Sequence, residues 1–271
     1  MENFRKIYCS RPDTYYLSIE IQEEHVPFIV EDILASNTRK DLKKLSIYST
    51  YKSYAFYNTF NIGIGSENIN KILDAVMQTD TITELDISKN SICDLAADKI
   101  SELISKNTLI ELDISNNNIK NKGMKKILEA VKNNTSLEIF NFSWNKFNYE
   151  IIPDICDVIR NNNTLHDFSF HQHNSDICRS KKFADELRCN VTLFSLSGIR
   201  YENSEVSDLL DWNSGLNYIL SAIDFTKLNL PVEILCMIIA MVLEPREKSE
   251  LLIYKRIEVL SSKQRIKRVK R

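Results

Sequence analysis

Glycine and proline are scarce in this chain, with five of each in 271 residues. Loops that cradle phosphate groups need several glycines at fixed spacing, and none of the five glycines forms a GxGxxG or GxxxxGK[ST] pattern. This scarcity argues against nucleotide chemistry. The formal net charge of −2 argues against a general polyanion binder, so we do not expect a nucleic-acid partner.

Long apolar runs are also missing. The longest, residues 234–243, falls short of the roughly 18 residues that span a bilayer. The first residues, MENFRKIYCSRPDTYY, lack the apolar core of a secretory signal. The six cysteines form no CxxC pair, so we expect reduced thiols and not a disulfide framework. These features predict a cytoplasmic protein without a transmembrane segment.

Catalytic motifs such as GxSxG, HExxH and the kinase signatures are absent from the sequence. One group of residues could suggest zinc, because histidine and cysteine are its usual ligands: His166, His171, His173 and Cys178. No CxxC or HxxxH spacing accompanies this group, and we interpret the histidines as surface residues or, for His173, as a member of the asparagine ladder. We therefore predict no enzymatic activity, no metal, no cofactor and no small-molecule substrate.

One ten-residue phrase occurs twice. ELDISKNSIC begins at Glu84, and ELDISNNNIK begins 27 residues later at Glu111. Around it, eight apolar or asparagine positions recur in three consecutive copies at offsets of 27 and 28, with a weaker fourth copy. The first three copies are Ile82, Leu85, Ile87, Asn90, Ile92, Ile100, Ile104, Asn107; Leu109, Leu112, Ile114, Asn117, Ile119, Ile127, Val131, Asn134; and Leu137, Phe140, Phe142, Asn145, Phe147, Ile155, Ile159, Asn162.

Each copy combines two periodicities. The alternating first half predicts a short strand with one buried face, and the 3–4 spacing of the second half predicts an amphipathic helix. Such a unit buries its apolar face only against its neighbours. The asparagine after each strand can satisfy backbone groups where the chain leaves the sheet. We expect Asn107, Asn134, Asn162 and Asn190 at helix ends in left-handed backbone geometry.

This pattern resembles the leucine-rich repeats of the ribonuclease-inhibitor-like class over about residues 80–195. The resemblance implies an α/β fold, a solenoid with parallel strands on the concave side and helices on the convex side, followed by a small α-helical C-terminal module. We expect degenerate N-terminal repeats at 1–80, with strands near Tyr15–Gln22 and Leu42–Ile47 and helices at Pro27–Ala35 and Ser66–Met77. Regular repeats at 81–200 and a cap or linker at 201–226 follow.

In such a solenoid the strand residues between the buried positions face the concave side. The resemblance therefore implies a protein-binding surface that includes Glu84, Asp86, Glu111, Asp113, Ile139, Asn141, Trp144, Asp167 and His171. The carboxylates favour a basic partner, and Ile139 and Trp144 offer apolar contacts. The alternative is that the LDIS phrase is a structural habit of the family and the acids have no partner of their own.

The segment 227–271 begins with LNLPVEILCMIIAMVL, a proline-initiated helix pattern. It resembles the first helix of an F-box, in particular the PRANC-type segments that end some viral and bacterial repeat proteins. That resemblance implies contacts to a Skp-type adaptor through Leu230, Pro231, Ile234, Leu235, Ile238 and Leu243. The alternative is a plain helical cap on the solenoid. The final KQRIKRVKR is either a nuclear address or a solvated basic tail.

Two hypotheses of function follow from these features. In the first, the protein is a non-enzymatic substrate receptor that links a target to a cullin-RING ubiquitin ligase, in the host cytosol or nucleus if it is an effector. In the second, it is a stoichiometric binder, inhibitor or scaffold with no ubiquitin link. Deletion of residues 225–271 separates them, because the second needs only the solenoid.

Overall fold

The computed structural model describes residues 14–17, 23–39, 42–47, 63–171, 195–197 and 213. Seven strands lie within these residues: β1 (Thr14–Leu17), β2 (Lys44–Ile47), β3 (Glu84–Asp86), β4 (Glu111–Asp113), β5 (Ile139–Asn141), β6 (Asp167–Ser169) and β7 (Ser195–Ser197). Five α-helices accompany them: α1 (Val26–Arg39), α2 (Gly65–Met77), α3 (Ala97–Ser105), α4 (Asn121–Asn133) and α5 (Ile152–Asn161). Strand and helix thus alternate from β1 to β6.

The seven strands form one parallel sheet in which sequence order is spatial order. Pairing is in register, so the central residues of successive strands face one another: Leu45, Leu85, Leu112, Phe140, Phe168 and Leu196. The predicted fold class, an α/β repeat solenoid, is confirmed. Because each strand adds to the previous one, every concave-facing position is repeated once per strand.

The helices cover one face of this sheet, and their buried side chains pack against those of the strands to form the core. In α4 the buried residues include Met124, Ile127 and Val131, at the spacing that places side chains on one side of a helix. Each helix also packs against its neighbour in the series, as α4 does against α3 and α5. One continuous core therefore runs between the sheet and the helices through all the described repeats.

Aromatic residues take over the core near β5 and β6, where earlier repeats carry leucine and isoleucine. The Phe142 ring lies between 5.0 and 5.8 Å, centroid to centroid, from four other phenylalanine rings: Phe140, Phe147, Phe168 and Phe170. Its counterparts one and two repeats earlier are Ile114 and Ile87, which are also fully buried. Phenylalanine thus replaces isoleucine at an equally buried position of the repeat.

An asparagine ladder, composed of Asn90, Asn117 and Asn145, follows the strands. The Asn117 Oδ1 atom accepts hydrogen bonds from the backbone N–H groups of Asn90 and Ile92, both at 3.0 Å. Its Nδ2 donates to the carbonyl oxygens of Ile87 at 3.1 Å and Ile114 at 2.9 Å. The amide thus joins two repeats, and the predicted role of this asparagine is confirmed.

Asn107, Asn134 and Asn162 lie at helix ends as predicted, but they do not all have left-handed backbone geometry. Left-handed geometry is right for Asn107, with φ of 55°. It is wrong for Asn134 and Asn162, which are extended at φ −75° and −80°. Their amides are buried and donate to carbonyl oxygens one repeat earlier, Ile104 at 2.6 Å and Val131 at 2.8 Å. Asn190 lies outside the described residues.

The N-terminal elements follow the prediction in part. The helix predicted at Ser66–Met77 is α2, which starts one residue earlier, and the strand predicted at Leu42–Ile47 contains β2. The helix predicted to end at Asn37 continues to Arg39. The strand predicted at Tyr15–Gln22 is described only as β1. Residues 48–62, which separate β2 from α2, lie outside the described residues.

Candidate protein-interaction surface

The sheet face opposite the helices carries two columns of side chains. Strand residues alternate in direction, and from β2 to β6 the residues Leu45, Leu85, Leu112, Phe140 and Phe168 are buried under the helices, so their neighbours on the strand point to the concave side. From β2 to β6 the first column is Lys44, Glu84, Glu111, Ile139 and Asp167, and the second is Ser46, Asp86, Asp113, Asn141 and Ser169. Five carboxylates and one ammonium group thus share this surface.

The second column is hydrogen-bonded within the protein. One Asp86 oxygen accepts the backbone N–H of Ser88 at 2.9 Å, and the other accepts the Ser46 hydroxyl at 2.8 Å. Asp113 repeats this arrangement with the Ser115 N–H at 2.7 Å and the Asn141 amide at 2.8 Å. These two carboxylates therefore stabilise the strand ends, which supports the structural interpretation for them.

Burial also affects the proton affinity of this column. It raises the pKa of Asp113, and the neighbouring Asp86 carboxylate acts in the same direction, while the bonds from Ser115 and Asn141 lower it. Burial thus outweighs the hydrogen bonds that Asp113 accepts, and its charged form is disfavoured on balance.

In the first column, Glu84 contacts a cation, whereas Glu111 and Asp167 do not within the described residues, and Asp167 accepts a hydrogen bond from the Ser169 hydroxyl at 3.2 Å. Glu84 forms an ion pair with Lys44, at 2.8 Å between Oε2 and Nζ. Glu111, one strand further, forms no hydrogen bond or ion pair through its side chain within the described part of the chain. Burial raises its pKa above the ordinary 4.5, Lys44 lowers it, and Glu84 and Asp113 raise it further. Glu111 is thus a half-buried acid that lacks a contacting cation.

From the raised pKa of Glu111 we predict a pH-dependent difference in stability between wild type and Glu111→Gln. A raised pKa means that the folded state binds the Glu111 proton more tightly than the unfolded state does, so ionisation of Glu111 costs stability. The stability of wild type relative to Glu111→Gln should fall as the pH rises from 4.5 through the higher folded pKa. Urea denaturation of both proteins across this range measures the difference. A pH-independent difference, or one of opposite slope, would contradict the prediction.

An aromatic pair lies at the end of the surface. Trp144 follows β5 by three residues and is 38% exposed, and its ring stacks on that of His171, two residues after β6. The ring centroids are 6.1 Å apart and the planes differ by 12°. The backbone N–H of Trp144 also donates to the His171 carbonyl oxygen at 2.7 Å. Stacking and hydrogen bonding together fix the orientation of this pair.

Neighbouring helices on the convex side are joined by ion pairs. Lys126 of α4 contacts Asp98 of α3, with Nζ and Oδ1 2.5 Å apart. Lys132 of α4 contacts Asp157 of α5 at 3.0 Å. These pairs neutralise charges between neighbouring helices, although the exposed Glu102 of α3 forms no ion pair among the described residues. Glu111 differs in being half-buried, with burial raising its pKa, so the concave face is the better candidate for a charged ligand.

The predicted concave residues from Glu84 to His171 lie on adjacent strands or just beyond them. Sequence reasoning missed the Lys44–Glu84 ion pair and the stacking of Trp144 on His171. The predicted adaptor contacts at 230–243 lie outside the described residues, as do His173 and Cys178. Within the described ranges, no group of three or more metal-ligating side chains could hold an ion. No helix in those ranges combines the length and apolarity needed to cross a membrane.

Comparison with known families agrees with this architecture. A family model for the leucine-rich repeat matches residues 105–128, which run from the end of α3 through β4 into α4. This match covers about one repeat, and together with the parallel ladder it gives the described chain the fold class of an α/β leucine-rich-repeat solenoid. No curated protein matches the chain.

Two solved structures are similar in fold. One is actin-binding site 2 of leiomodin-1, with 17% identity, a TM-score of 0.41, and coverage of 70% of this chain and 92% of that one. The other is the tropomodulin C-terminal domain of Caenorhabditis elegans, with 15% identity, a TM-score of 0.43, and coverage of 72% and 96%. Likenesses at this level carry no information about what this chain binds.

Proposed function

We propose that the protein is a non-enzymatic interaction protein that holds a basic protein target on its concave face. The observation that carries this proposal is the half-buried Glu111 carboxylate, which contacts no cation within the described residues and lies on the sheet face that the helices leave uncovered. A cation supplied by a partner would compensate this charge. Complementary charge of this kind contributes mainly to association rate and to the choice of partner.

Reversing the charge of Glu111 tests whether the target binds to the concave face. Glu111→Lys should weaken binding of the target by about tenfold or more, since like charges across an interface cost several kcal/mol. The matched control is Glu102→Lys, which makes the same change at an exposed position of α3. Targets captured by proximity labelling in expressing cells can be purified and titrated against both variants. Equal loss in both variants, or in neither, would contradict binding through the concave face.

We further propose that residues 227–271 form a separate helical module that docks on a Skp-type adaptor, which would make the protein a substrate receptor for a ubiquitin ligase. Support comes from the sequence LPVEILCMII, whose proline and apolar spacing match the first helix of an F-box. The solenoid would then present the target, and the module would deliver it.

The double variant Leu230→Ala, Pro231→Ala tests this second step. It should abolish co-purification of the adaptor with the full-length protein, because both side chains would lie in the docked interface. Target binding should be unchanged, because the variant leaves the concave face intact. No adaptor retention by the wild type, or equal retention by the variant, would remove the ligase link and leave the simple binder.

A further inference from the structure

The backbone at Trp144 is unusual for such a bulky residue. Its φ of 56° lies in the left-handed region, where asparagine and glycine are favoured and large side chains are uncommon. The equivalent residues one and two repeats earlier, Asn116 and Lys89, share this conformation with φ of 54° and 59°. The left-handed turn therefore recurs with other side chains, so the turn itself does not select an indole. A bulky residue in this conformation is a candidate for a role in binding.

The indole is also placed where a ligand could reach it. Trp144 is among the exposed large apolar side chains of the described chain, and His171 supports one side of the ring. Ile139, half-buried on the strand that precedes Trp144, pairs in register with Glu111 on β4. The Glu111 carboxylate on β4, the Ile139 side chain on β5 and the aromatic pair in the loops after β5 and β6 thus belong to three neighbouring repeats.

We propose that this surface binds arginine side chains in preference to lysine. One guanidinium stacks on the Trp144–His171 pair, and a second cationic side chain pairs with Glu111. The ligand is an extended basic segment of a partner protein, so this inference rests on the proposed function. Arginine suits the site better than lysine because its planar guanidinium is weakly hydrated and stacks on aromatic faces. The Ile139 side chain would contact the aliphatic part of the segment.

Charge excludes the main competing ligand for an exposed tryptophan. Bases of single-stranded nucleic acids also stack on aromatic side chains, but their binding depends on cations that contact the phosphates. The two columns hold five carboxylates and only Lys44 as a cation, and Lys44 is already paired with Glu84. A phosphate backbone would be repelled here, whereas a basic peptide would be attracted.

The test uses the full-length protein with fluorescent hexa-arginine and hexa-lysine peptides, which carry equal charge, and measures anisotropy at one fixed salt concentration. Wild type should bind hexa-arginine about five- to tenfold more tightly, the effect of a partly desolvated cation–π contact. Trp144→Asn, which installs the residue found at position 116, should remove the preference, and Trp144→Phe should retain part of it. Glu111→Gln should weaken both peptides by a similar factor.

Equal affinity for the two peptides, or a preference that survives in Trp144→Asn, would overturn the inference. If target binding is still lost in Glu111→Lys, the proposed function stands without it. Tighter binding of oligothymidine than of hexa-arginine would also overturn it. Finally, the triple variant Arg265→Gln, Arg268→Gln, Arg271→Gln should bind hexa-arginine as wild type does. A tenfold gain in that variant would make the chain's own tail the occupant and would contradict a separate partner.

Discussion

Asn117→Ala should lower the free energy of unfolding by roughly 2–6 kcal/mol, because two buried N–H groups would lose their acceptor at about 1–3 kcal/mol each. Those groups belong to Asn90 and Ile92, and both bond to the same Asn117 oxygen. No backbone rearrangement within one repeat can replace that acceptor, since the two donors come from the preceding repeat. Urea denaturation followed by circular dichroism measures the loss.

The adjacent residue provides the control for this prediction. Asn118 is partly exposed, and its side chain makes no hydrogen bond within the described part of the chain. Asn118→Ala removes the same atoms one position away, and it should change stability by no more than about 0.5 kcal/mol. Similar losses in the two variants would show that the buried amide does not hold the repeats together.

Phe142→Ala should cost about 3–5 kcal/mol, the usual range when a fully buried phenylalanine is truncated in a packed core. Phe142 is 0% exposed and its ring contacts four other phenylalanine rings, so the cavity would have rigid walls and could not collapse easily. Thermal and urea unfolding of the full-length variant give the value.

Phe142→Ile separates a volume effect from an effect of shape. Isoleucine occupies the equivalent buried position one repeat earlier, at Ile114, so the backbone accepts it there. We expect an intermediate loss of about 1–3 kcal/mol, because the neighbouring rings leave part of the phenyl volume unfilled. A loss as large as that of the alanine variant would mean that the aromatic contacts, and not the filled volume, dominate.

The repeat register could be predicted from the sequence because each strand can bury its central residue only in line with the next one. The offset of 27 residues between Leu85 and Leu112 becomes a backbone pair in the sheet. The ladder asparagines were also predictable, since a buried amide after each strand has a clear physical task. Local spacing and repeated chemistry were sufficient for both.

Three features could not be predicted, because they depend on contacts between repeats. Ser46 bonds Asp86 across 40 residues, and Lys44 pairs with Glu84 over the same separation, which no fixed period marks. The extended conformation of Asn134 follows from a carbonyl group on the previous helix and not from its own sequence neighbours. These contacts separate the structural carboxylates from the available one, Glu111.

Backbone nuclear Overhauser effects between the strands test the central claim most directly. The account predicts parallel-sheet cross peaks linking Leu85 to Leu112, Leu112 to Phe140, and Phe140 to Phe168 in the full-length protein. Cross peaks in another register, or an antiparallel pattern between any of these strands, would remove the shared face on which Glu111 and Ile139 are neighbours.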